Sequence, residues 1–141
     1  MRHVLPTAAL AMLAALGLPA TSAAQNKTSI DVLVASVSTG GKDVASELAG
    51  MAKDFKRERL PFTSFKLISR TSLSLGPNQS ENVRLPNGNA QFTLVKLEGN
   101  AARLKIATPF MTSTYTMKPG GEMYIDGGAH GSSKVYLAVK R

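Results

Sequence analysis

Apolar positions recur every second residue over most of this chain, and every three to four residues over one stretch only. Ile30–Val37 (IDVLVASV) is apolar at both odd and even positions and rich in β-branched residues, which predicts a strand covered on both faces. Ser38-Thr39-Gly40-Gly41-Lys42 interrupts it. From Asp43 the apolar residues fall at Val44, Leu48, Met51, Ala52 and Phe55, an i, i+4, i+7, i+8, i+11 ladder that predicts a helix over Asp43–Arg59. Asp43 is placed as N-cap or first-turn acid, and Lys53, Lys56, Arg57 and Arg59 crowd the end where positive charge complements the helix dipole. Leu60-Pro61 stops the helix. Its apolar face, Val44, Leu48, Met51 and Phe55, is expected to cover the first strand.

The remainder reads as β. Phe65, Leu67, Ser69, Thr71, Leu73 and Leu75 form an unbroken alternation expected to face inward, with Lys66 and Arg70 together on the outward face. Gly76-Pro77-Asn78-Gln79 is a turn. Pro86-Asn87-Gly88-Asn89 holds the Asn-Gly pair favoured by type I′ hairpins, and Gly99-Asn100 closes a second hairpin. They link strands near Glu81–Leu85, Gln91–Glu98 and Ala101–Thr108 into a meander. Pro119-Gly120-Gly121 signals a hairpin between Phe110–Lys118 and Glu122–Asp126, and Lys134–Lys140 closes the chain. The fold class expected is mainly β (α+β): an antiparallel sandwich or twisted sheet of about eight strands, with one amphipathic helix after the first strand.

The start of the chain has a different pattern. Arg2 and His3 precede eleven apolar residues, Ala8–Leu18, followed by Pro19 and the small run Ala20-Thr21-Ser22-Ala23-Ala24. This is the layout of an export signal, with cleavage expected after Ala23 or Ala24. A membrane-spanning helix needs roughly 20 apolar residues, about twice what is present. Residues 1–24 are therefore read as a signal peptide and 25–141 as one β-rich domain, exported to the periplasm or beyond and without a transmembrane segment.

The full chain of 141 residues carries 17 Lys and Arg, 9 Asp and Glu, and no Cys. Only Arg2 leaves with the leader, so the mature domain keeps a charge of +7. The missing cysteines exclude disulfides, thiolate nucleophiles and cysteine zinc sites. His130 is the one histidine of the mature part, in Asp126-Gly127-Gly128-Ala129-His130-Gly131-Ser132-Ser133. A small hydrolase would use it as general base, oriented by Asp126 beside Ser132 or Ser133, but no nucleophile-elbow pattern accompanies them. The segment reads instead as a glycine-rich loop. Metal-ligand spacings are lacking, Asp126 with Glu122 being the nearest approach. Asp54 and Glu58 are interleaved with cations and read as a solvated face. Phe92, Phe110, Tyr115, Tyr124 and Tyr136 are assigned to packing.

The stretch Leu60–Leu75, the Leu85-Pro86-Asn87-Gly88 turn and the closing Gly127-Gly128, Gly131 and Val135-Tyr136-Leu137-Ala138-Val139 pattern resemble small exported β-rich bacterial proteins. That resemblance implies no activity and no catalytic residue.

Expected from this reading is a non-enzymatic binding or assembly module of the cell envelope, needing no cofactor and acting through protein–protein contact. The alternative is a basic binder of anionic envelope glycans or lipid headgroups. The candidate binding surface is Lys53, Lys56, Arg57, Arg59, Lys66 and Arg70, and a sheet edge, with the closing strand around Tyr136, is the second candidate. Nucleic acid is not an expected partner, since no strand interleaves basic and aromatic residues.

Overall fold

The computed structural model describes residues 27–141; the segment expected to be an export signal, with its expected cleavage site, lies outside the described residues. Among the described residues, eight strands form two antiparallel sheets. They are β1 (Thr28–Ser38), β2 (Ser64–Leu75), β3 (Ser80–Leu85), β4 (Gly88–Glu98), β5 (Ala101–Ala107), β6 (Thr112–Met117), β7 (Glu122–His130) and β8 (Ser133–Lys140). One sheet has the order β2-β1-β8-β7, the other β3-β4-β5-β6. The two pack face to face, because one buried apolar cluster joins Ile30, Val32, Val34, Leu137 and Val139 to Phe92, Leu94, Leu104 and Ile106.

β1 is buried on both faces, as its two-sided apolar pattern requires. Its even positions enter the inter-sheet core. Its odd positions, Leu33, Ala35 and Val37, enter a second cluster on the outer face with Leu48, Met51 and Phe55. The cover on that face is α1 (Ala49–Arg57), preceded by a 3₁₀ turn at Ser46–Leu48. Phe55 is its hub: ring centroids of Phe65, Tyr124 and Tyr136 lie 5.6, 5.6 and 4.9 Å away, within the range of edge-to-face packing.

The helix begins later than the ladder predicts. Phe65 exchanges hydrogen bonds with Asp43 and Ala45 (2.7 and 2.9 Å), so Val44 sits in a one-residue parallel bridge to β2. Asp43 is thus no N-cap, and Val44 is 45% exposed instead of packed on the sheet. A β-bridge satisfied those backbone groups in place of a first helical turn.

Three further expectations are corrected by the strand pairing. Pro119-Gly120-Gly121 joins strands of different sheets and is no hairpin. Leu85 pairs with Gly88, leaving Pro86 and Asn87 as the turn, and neither has the positive φ that a type I′ turn needs. The segment through His130 is not a loop: it extends β7, with Gly127 as the extra residue of a bulge opposite β8. At that bulge Asn87 Nδ2 donates to the carbonyl oxygens of Gly127 (2.9 Å) and Ala129 (3.3 Å), tying one sheet to the other.

Candidate functional site

The six basic residues of the expected surface are carried on more than one face of the fold. Arg57 donates to Asp54 Oδ1 at 2.9 Å, an i, i+3 pair on α1. Asp54 Oδ2 accepts from the Tyr124 hydroxyl at 2.8 Å, which pins the helix to β7. Lys53 borders a cleft of about 190 Å³ between α1 and the β7–β8 pair, with Glu47, Asp54, Glu122, Tyr124 and Lys140. Burial, then the Asp54 and Glu122 carboxylates, push the Tyr124 phenol well above its ordinary value.

Lys66 and Arg70 do not share a face. β1 runs straight while β2 carries an extra residue between the pairs Val34–Ser69 and Ala35–Leu67. Lys66 therefore stands opposite Ser36 and Arg70 opposite Leu33, on the helix side. There the Glu47 carboxyl is held low by its own backbone amide, by the Ser46 hydroxyl and, more weakly, by Arg70.

Lys56 and Arg59 do come together, and with apolar partners that the charge pattern did not reveal. They line a groove of about 470 Å³ with Val44, Ala52, Leu60, Pro61, Phe62, Thr63 and Phe65. Local chemistry builds this groove at the end of α1. The Leu60 amide donates to Phe55 O (2.9 Å) and the Arg59 amide to Lys56 O (3.0 Å). These are the two bonds of a Schellman ending. It turns the chain back through Pro61 and lays Phe62 against the Phe55 and Tyr136 rings, at 6.2 and 5.9 Å. Arg59 occupies the left-handed position of that ending, with φ of 61°. The sequence signal for the groove was the apolar Leu60-Pro61-Phe62 run directly after the cationic helix end.

No family model, curated protein or solved structure matches the chain.

The Asp126–His130–serine constellation is not assembled. Asp126 Oδ2 accepts from Lys134 Nζ at 2.6 Å and Oδ1 from the Gly128 amide at 2.9 Å, so both carboxylate oxygens are engaged. The Lys134 ammonium is raised above its ordinary pKa chiefly by that Asp126 hydrogen bond. Across the Gly127 bulge, Asp126 pairs with Tyr136 on the helix side while His130 pairs with Ser133 at the exposed hairpin end. Among the described residues, no three His, Cys, Asp or Glu side chains gather as metal ligands. Of the aromatics assigned to packing, Phe110 departs from expectation: it is 59% exposed, with Lys134 Nζ 5.8 Å from its ring centre. Tyr136 lies on β8, a central strand between β1 and β7, so the closing strand offers no edge. The edges are β2, β7, β3 and β6. Among the described residues no helix is long and apolar enough to cross a membrane.

Proposed function

We propose that this chain is exported, sheds residues 1–24 and works as a non-enzymatic binding or assembly module of the cell envelope, through protein–protein contact. One observation supports this reading above others: at the end of α1, apolar side chains and two cations share a single groove. Protein interfaces combine an apolar centre with a polar rim and favour arginine. Binding of an anionic glycan or headgroup rests on charge alone. The tie of Arg57 to Asp54 and the separation of Lys66 from Arg70 weaken the charge block such binding requires.

A photo-crosslinking side chain at exposed position 58, beside the groove but not lining it, presented to envelope extract at low and physiological salt, tests this. A protein adduct formed at both salts is expected, because apolar contact survives screening. Anionic polysaccharide recovered alone, and eluted by salt, overturns it. N-terminal sequencing of secreted material should begin at Ala24 or Gln25; retention of Met1 overturns the export part.

A further inference from the structure

We infer that the groove beside Arg59 takes an acidic protein segment that inserts one bulky apolar side chain. The inference rests on the protein-contact reading and adds what the partner must present.

The floor and rim call for an apolar anchor. Ala52, Pro61, Phe62 and Phe65 line the groove, and Val44 and Leu60 at its rim are 45% and 38% exposed. The volume of about 470 Å³ falls within the roughly 300–1,000 Å³ range of ligand pockets. The charge calls for an acid beside that anchor: Lys56 and Arg59 line the groove and no carboxylate does. Among the described residues neither cation has an ion-pair partner.

Two observations fix the kind of partner. The helix carries Asp54, and exposed Glu58 caps its end, alongside the cations. A broad anionic surface such as a lipid bilayer meets those acids too, whereas a single acidic side chain in the groove meets only Lys56 and Arg59. Much of the backbone around the groove is already engaged. The Arg59, Leu60, Thr63 and Phe65 amides are donated to Lys56, Phe55, Ser38 and Asp43, and the Thr63 hydroxyl to Gly41 and Thr39. Pro61 has no amide hydrogen. Recognition therefore rests chiefly on the side chains that line the groove.

Arg59 supports this independently. It stands in a left-handed position where glycine sits without strain, and it lines the groove. Backbone strain kept for a side chain is what a binding residue shows.

A random twelve-residue peptide library displayed on phage, panned against the purified chain, tests the inference. Recovered peptides should pair Asp or Glu with Phe, Leu, Met or Trp. Their synthetic copies should bind roughly tenfold or more weakly to Arg59→Gly and to Lys56→Glu, while Lys105→Gln, on β5, leaves binding unchanged. Arg59→Gly should also melt no lower than the native chain, which separates lost binding from lost folding. If that variant folds poorly, Lys56→Glu on the exposed helix face carries the test alone. Peptides without acidic residues, or binding that survives both variants, overturn the inference and leave protein contact standing elsewhere on the surface. No peptide recovered and no protein cross-linked overturns both readings. Binding of phosphatidylglycerol vesicles, lost in the two variants while no peptide binds, transfers the groove to a lipid and overturns the inference.

Discussion

Leu67 and Ser69 lie two residues apart on β2 and face opposite sides of their sheet. Leu67 pairs with Ala35 on the helix side, and Ser69 pairs with Val34 on the side of the inter-sheet core. Ile68 is the extra residue between them, and its side chain is 48% exposed. The bulge lets one alternating run serve two cores, with Phe65 and Leu67 under α1 and Leu73 and Leu75 between the sheets.

Deleting Ile68 should consequently be far worse than replacing it. Without the extra residue, Phe65 and Leu67 turn away from the helix. Losing the burial of two such side chains costs about 3–6 kcal/mol, against a typical domain stability of roughly 5–15 kcal/mol. Ile68→Ser should stay within about 1 kcal/mol. Urea unfolding of both variants checks this, and a deletion as stable as the substitution would show that the register adjusts freely.

The helix face gives a second contrast. Leu48 is 1% exposed and Val44 45% exposed, although the ladder placed both on one apolar stripe. Leu48→Ala should lose about 2–5 kcal/mol. Val44→Ala should lose about 0.5 kcal/mol or less. Equal losses in chemical denaturation would mean that Val44 belongs to the packed face after all.

Two glycines should respond to alanine with opposite sign. A Cβ on Gly127 would meet Leu137 Cδ1, Val135 Cγ1 and Val135 O, each at 3.1 Å, whereas a Cβ on Gly50 meets nothing within 4 Å. Gly127→Ala therefore overpacks the β7 bulge and should cost about 1–3 kcal/mol. Gly50→Ala, within α1, should stabilise by about 0.5–1 kcal/mol through helix propensity and a less flexible unfolded chain. Thermal unfolding of the two variants reads both signs.

Alkaline pH should destabilise the fold. Burial and carboxylate neighbours raise Tyr124, burial followed by Asp126 raises Tyr136, and the Asp126 hydrogen bond raises Lys134. In each case the folded protein holds its proton to a higher pH than the unfolded chain. The associated stability is complete below the unfolded values of 10.0 for tyrosine and 10.5 for lysine and is lost as pH rises through the folded ones. Unfolding midpoints should thus fall above about pH 10. Tyr124→Phe should fall less steeply, and at neutral pH it should be weaker by about 1 kcal/mol for the lost Asp54 hydrogen bond. An identical alkaline slope in that variant would remove Tyr124 from the account.

Some of this protein is legible residue by residue. The two-sided apolar run of β1, the alternation of β8 and the Leu48-Met51-Phe55 stripe each report how local side chains divide between water and core. With the turn signals that separate the other runs, they point to about eight strands, one helix and the helix's place over the first strand, because burial periodicity is fixed by the backbone repeat of each element. Of the site, the sequence marked the cationic helix end but neither the groove nor which cations share it.

What only the tertiary structure decided depends on how the strands pair. An extra residue at Ile68 or Gly127 leaves the local alternation looking intact, yet it moves Lys66 away from Arg70 and His130 away from Asp126. The place of β8 between β1 and β7, and the passage from one sheet to the other at Pro119-Gly120-Gly121, are likewise set by which edges meet. Backbone hydrogen bonds contribute the same with any partner strand, so register and strand order follow from how whole faces pack. That packing joins Val44, Phe62 and Phe65 to Lys56 and Arg59 in one groove.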